Sequence, residues 1–420
     1  KRDTATRFIT DPTGAAGRRR FWVAATTCSL ALVGCEQRAP GTQSQQPDVL
    51  STRDSRHLVD ATAGAMRDSD DAESSRPAPE HPHDAIVDPA RWPADLYASG
   101  RRPTNVQLRA GWSYVASMDD TTLLQPYDVA VLRNVVVAQD AGRMALLGLR
   151  HNNGFPTWRT GRRGSGPGEF QLGAILWASD TSILYSDVRL RRLTEWSDEG
   201  KLIASRELPK IGMIWGVCRL PDGNNYVMVR PHGADNFTGI ARLPDNADSL
   251  LDRQPFPIKR AVHRSGLDAQ MRLYQLADGS CALGASNESY LAVFHRVDSM
   301  VSVPLIEHVP PPVVEESKDG KAIRIGFAEG TLSAVRGVSS LGDMVAILYG
   351  GRTTARRRIV DLYHRAPWRY EGSFVMQGTV RSLSSRDSTL VVVSEDSTGF
   401  DRIDQFIVKL PGDQCCLQEH

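Results

Sequence analysis

The chain carries ten histidines, six cysteines and 49 carboxylates in 420 residues, so the first question is whether any stand at spacings that chemistry requires. A Gly-x-Ser-x-Gly elbow, a His-Glu-x-x-His helix, a P-loop and a dinucleotide-binding Gly-x-Gly-x-x-Gly turn are all absent. The run Gly164-Ser165-Gly166-Pro167-Gly168 is glycine-rich, but it enters a strand pattern and not a helix. His81-Pro82-His83-Asp84 lies in a polar stretch that gives two imidazoles no fixed geometry and no further ligands. No Cys-x-x-Cys pair occurs, and Cys415-Cys416 stands alone in a polar tail. The residues predict no catalytic group, no metal and no cofactor.

Net charge is +1, with 24% charged and 41% hydrophobic residues, which excludes a membrane-spanning bundle and a wholly disordered chain. The even balance hides three regions. Residues 1–34 hold six basic and two acidic residues, 36–100 hold six and twelve, and 101–420 hold thirty-eight and thirty-five. In the first, Arg18-Arg19-Arg20 precedes an apolar stretch from Phe21 to Gly34, too short to span a bilayer. It ends in Leu32-Val33-Gly34-Cys35, which resembles the lipobox of bacterial lipoproteins. That resemblance implies a signal peptide over 1–34, lipid on Cys35, and a cell-envelope address with Glu36 favouring the outer membrane. Arg18-Arg19-Arg20-Phe21 also resembles a twin-arginine signal.

From Glu36 to Arg91 there is no Phe, Trp or Tyr, while Gln43-Ser44-Gln45-Gln46-Pro47 and Arg76-Pro77-Ala78-Pro79-Glu80 are too polar to bury themselves. Residues 35–100 are therefore expected to be a disordered acidic, proline-rich tether. If flexible, it lets the folded part reach roughly 40–45 Å from the bilayer.

The third region, 101–411, reads as β throughout, with residues 412–420 a tail. Runs such as Asn134-Val135-Val136-Val137-Ala138, Ser182-Ile183-Leu184-Tyr185, Met344-Val345-Ala346-Ile347-Leu348-Tyr349 and Thr389-Leu390-Val391-Val392-Val393 alternate with Gly, Asp, Asn and Pro. The pattern strand, Asp, turn, Arg, strand at Val135–Leu147 returns about 47 residues later at Ile183–Trp196. Further strand pairs fall around Tyr226–Ala241, Cys281–His295, Met344–His364 and Leu390–Lys409, making six units of propeller-blade length. Residues 250–330, interrupted by Pro304, Pro310, Pro311 and Pro312, keep the period poorly. Val106–Ser117 is expected to supply the missing strand of the last blade and so close the ring. The expected fold is all-β, a six-bladed propeller of four-stranded antiparallel blades.

Leu124-Gln125-Pro126-Tyr127-Asp128-Val129, the strand pair to Leu147, and Gly161-Arg162-Arg163-Gly164-Ser165-Gly166-Pro167-Gly168-Glu169-Phe170 resemble the inter-blade signature of NHL-like six-bladed β-propellers, a family with many uncharacterised exported bacterial members. The glycines and Pro167 account for the loop as a structural turn, with Phe170 anchoring the next blade. The resemblance also implies an alternative, a lactonase- or lyase-type enzyme using Ca²⁺ or Zn²⁺, since six-bladed relatives include calcium-dependent lactonases and a zinc-dependent lyase with ligands in the central channel; here Asp187, His232 and Asn236 are the residues that reading draws on. Cys218 and Cys281 fall in neighbouring blades, where a bridge is open to them; two buried free thiols are the simpler expectation.

In such a ring the loops between second and third strands emerge on one face together with the inter-blade connections. There Arg162, Arg163, Asp187, Arg189, Arg191, Arg230, His232, Asp235, Asn236, Arg352, Arg356 and Glu395 form a predominantly cationic rim. A repeated frame with variable loops and no nucleophile suits a binding scaffold for an anionic ligand, an envelope protein or an acidic glycan. The membrane is a partner through the lipid, and nucleic acid is not expected.

Overall fold

The computed structural model describes residues 88–116, 123–208, 213–230, 239–245, 249–255, 267, 270–319, 322–396 and 399–409. The signal segment, Cys35, the tether up to residue 87, His232, Asp235, Asn236 and the tail from residue 412 lie outside the described residues, as does the side chain of Arg230.

Strand β1 (Gln107–Val115) is followed by blade 1, which is β2 (Pro126–Val131), β3 (Val135–Asp140), β4 (Ala145–Arg150) and β5 (Pro156–Thr160). Blade 2 is β6 (Gly173–Ala178), β7 (Ser182–Asp187), β8 (Arg192–Ser197) and β9 (Leu202–Glu207). Blade 3 is β10 (Met213–Arg219), β11 (Asn225–Arg230), β12 (Gly239–Leu243) and β13 (Leu251–Pro255). Blade 4 is β14 (Met271–Gln275), β15 (Cys281–Ala285), β16 (Leu291–Phe294) and the two-residue β17 (Val301–Ser302). The hairpin β18 (Val314–Asp319) and β19 (Ala322–Phe327) interrupts the repeat where the prolines blurred it and forms a two-stranded sheet of its own. Blade 5 is β20 (Val335–Leu341), β21 (Met344–Tyr349), β22 (Ile359–Arg365) and β23 (Trp368–Val375). Blade 6 is β24 (Thr379–Arg386), β25 (Thr389–Glu395) and β26 (Asp401–Lys409), with β1 paired to β26 as its fourth strand.

The inner strands touch in the order β2, β6, β10, β14, β20, β24 and back to β2, which closes the ring. Six apolar clusters fill the six gaps between adjacent blades. Val136, Leu147, Val391 and Ile403, for example, join blade 1 to blade 6, and Phe170, Tyr185 and Trp196 pack with Val137 and Leu146 between blades 1 and 2. This explains the sequence pattern. Second and third strands are covered on both faces by neighbouring blades, so β3, β21 and β15 are buried at every position and read as unbroken apolar runs. Fourth strands face solvent, and β13 is exposed throughout.

Two expectations are corrected. The first concerns the tether boundary: residues 88–100 are folded, with a 3₁₀ turn at Pro89–Arg91 and helix α1 (Ala94–Ala98). Trp92 and Leu96 supply the apolar area that the stretch before them lacks, and pack on Ala355, Ile359 and Val375 of blade 5. Arg101 then enters the core, its guanidinium bonded to both carboxylate oxygens of Asp361 at 3.0 Å and to Glu307 at 2.7 Å. The second concerns the thiols. Cys218 and Cys281, on β10 and β15, form a disulfide with Cα atoms 5.9 Å apart, because the ring sets β10 against β14 and the register of β14 to β15 puts Cys281 beside the end of β14.

Candidate functional site: the central channel

The expected rim divides once its contacts are seen. Asp187 is buried, and its Oδ1 accepts the backbone N–H groups of Arg189 and Leu190 while Oδ2 accepts those of Gln171 and Leu172, at 2.5–3.2 Å. Four donors occupy the carboxylate's lone-pair directions. Asp140 repeats the arrangement 47 residues earlier, accepting from Leu124, Gln125, Gly142 and Arg143. The recurring aspartate is thus a clasp that ties the turn between second and third strands to the preceding inter-blade connection. Asp187, expected at the rim, therefore has a structural role in this turn. Glu395 is also engaged, at 2.8 Å from Arg381.

The glycine-rich loop behaves as the turn chemistry implied. Glu169 accepts from Gly166 N–H and from Arg162, both at 2.7 Å, and Arg192 reaches under the loop to the carbonyls of Ser165 and Gly166. Arg163, Arg189, Arg191, Arg352 and Arg356 remain exposed at this face. Among the described residues no three His, Cys, Asp or Glu side chains gather as a metal would need.

A further concavity is the channel itself, a cavity of about 930 Å³ lined by all six inner strands and, in blades 2 to 6, by the turns that follow them, at the face opposite the rim. Its mouth is tied by Asp180 of blade 2, which pairs with Arg133 of blade 1 at 2.5 Å and with Arg386 of blade 6 at 2.7 Å. These hydrogen bonds, Arg386's first, hold the Asp180 carboxyl down to about 2. Deeper in, Arg272 on β14 and Arg336 on β20 come from adjacent blades. Among the described residues neither has an ion pair. Burial and the Arg272 charge both pull Arg336 below the usual guanidinium range. Asp128 is the nearby acid. Burial pushes its carboxyl up, against the pull of Arg272 and of hydrogen bonds from Ser382 and the Val129 N–H. Burial likewise raises the phenol of Tyr274, against the pull of both arginine charges. Such a site places two guanidinium forks in one cavity, an arrangement suited to an anionic group.

Sequence reasoning put the site on loops and missed these residues. The signal was present: Met271-Arg272-Leu273-Tyr274 and Val335-Arg336-Gly337-Val338 each set an arginine inside an otherwise apolar strand run.

No protein-family model matches the chain, and no curated protein does. Solved structures share its outline. A member of the DUF4221 family from Bacteroides vulgatus is 10% identical, over 73% of this chain and 99% of that one, with a TM-score of 0.47. A candidate exported protein of Bacteroides fragilis is 13% identical, over 73% and 95%, with a TM-score of 0.46. Virginiamycin B lyase from Staphylococcus aureus is 11% identical, over 72% and 99%, with a TM-score of 0.44. At this distance they lend the chain no ligand and no chemistry; those rest on its own residues.

Proposed function

We propose that the protein is a lipid-anchored, extracytoplasmic binding propeller of NHL-like type that captures an anionic ligand in its central channel. The observation that carries this is the pair Arg272 and Arg336, two guanidiniums without ion pairs among the described residues that line one cavity. Burial and the Arg272 charge disfavour the Arg336 cation, whereas Tyr274 and Asp128 favour that of Arg272; an anion between the two guanidiniums favours both charges. The exposed arginines of the opposite face, Arg189 and Arg356 among them, add to a positive field that draws anions toward the ring. Leu32-Val33-Gly34-Cys35 supports the anchor, and the Cys218–Cys281 disulfide supports an oxidising compartment. The reading requires no metal.

Two measurements test it. Replacement Cys35→Ala should move the protein from the membrane to the soluble fraction, and unchanged fractionation would sink the anchor. Calorimetric titration with organic anions should give binding that weakens steeply with salt and is lost in the double variant Arg272→Gln/Arg336→Gln. If Arg189→Glu and Arg356→Glu abolish binding while the channel pair is dispensable, the site is the rim and the channel reading fails.

A further inference from the structure

The inner strands share a recurrent irregularity. In five of them the register to the second strand skips a residue, a β-bulge, and the skipped residues are Tyr127, Leu176, Trp215, Arg336 and Arg381 in blades 1, 2, 3, 5 and 6. Strand β14 of blade 4 pairs without a bulge and brings Arg272 to the cavity at its second residue, the place that Tyr127 and Arg336 hold in their strands. Round the ring the order is therefore Tyr, Leu, Trp, Arg, Arg, Arg. The residues of blades 1 to 3 are apolar or aromatic and those of blades 4 to 6 cationic, with Asp128 of blade 1 also lining the cavity and interacting with Arg272. Arg381 is neutralised by Glu395 and Asp401, each at 2.8 Å. The two arginines without ion pairs line the cavity together with Leu176 and Trp215 of the two blades next along the ring.

We infer that the channel selects an amphipathic organic anion: one sulfonate, carboxylate or phosphate group held by Arg272 and Arg336, carried on a flat apolar body that lies against Leu176 and Trp215. This rests on the channel reading above and adds the chemistry of the ligand's other half. A guanidinium pair set on one arc fixes where the anionic group goes, and the body then has only the apolar arc to cover. The cavity of about 930 Å³ admits a molecule of that kind, being at the upper end of small-molecule sites. A simple inorganic anion leaves the apolar arc wet.

The test uses the folded full-length chain and three probes: naphthalene sulfonate, methanesulfonate and the uncharged naphthalene methanol. Naphthalene sulfonate should bind one to one and about tenfold or more tighter than either of the others, since a charge-assisted contact and a buried ring are each worth that much. Arg336→Met should weaken it about tenfold and at the same time raise the melting temperature of the ligand-free protein, because the repulsion with Arg272 is gone. A merely structural arginine would show the opposite shift in melting temperature. If methanesulfonate binds as tightly as naphthalene sulfonate, the amphipathic inference falls and the anion reading stands. If naphthalene methanol binds as tightly, or no probe binds, both fall.

Discussion

Asp180 holds the channel mouth between Arg133 and Arg386, and its protonation has a definite consequence. With its carboxyl held down to about 2 in the fold, against an ordinary 3.8, its contribution is complete above the unfolded value and is lost as the pH falls through about 2. Melting temperatures measured from pH 5 down to pH 2 should therefore drop less steeply in Asp180→Asn than in the parent, with the parent more stable at pH 5. An identical slope in both proteins would remove Asp180 from the acid response. The pair is half exposed, so the effect is modest, and salt should shrink it. Asp128 works with the opposite sign, since its charged form is disfavoured by burial and gains in stability come from protonation.

At the scale of the element, the blades are joined by a device that repeats with the same period as the aspartate clasp. Trp112, on the outer strand of blade 6, donates its indole N–H to the His151 carbonyl in the hairpin between third and fourth strands of blade 1, and its ring covers Gly154. Trp158, on the outer strand of blade 1, does the same to Asp198 and Gly200 of blade 2. Both glycines have positive φ, +71° and +75°, and a methyl group at either would lie 2.6 Å from the indole. Gly154→Ala and Gly200→Ala should each destabilise the protein by about 1–3 kcal/mol in denaturant unfolding, from backbone strain and displacement of the ring. A change within error would show that the hairpin re-forms freely. The strand count, the period and the closing role of the first strand were legible in the sequence because apolar runs and turn residues are local signals. Arg272 and Arg336 were not read as a site, because their meeting depends on two strands about sixty residues apart entering the ring side by side. The Cys218–Cys281 bridge was undecided for the same reason: spacing along the chain says nothing about which positions of adjacent blades face each other.

For the molecule as a whole, that bridge closes a loop of 63 residues between blades 3 and 4, the part of the ring with the shortest strands. Reduction should lower stability by about 4 kcal/mol on a chain-entropy estimate, seen as a lower unfolding midpoint in urea with reductant. Equal midpoints with and without reductant would mean that the apolar contacts of blades 3 and 4 hold these strands unaided. The chain's entry into the ring bears on how the protein withstands load. Trp92 and Leu96 grip blade 5, Arg101 is buried beside Asp361 and Glu307, Thr104 pairs with Ser373 of β23, and only then does β1 complete blade 6. A pull transmitted along the segment before residue 88 therefore meets the plug on blade 5 before it reaches the seam between β1 and β26. The seam where the ring's two ends meet is shielded from tension by a strain relief built from the residues just upstream of it.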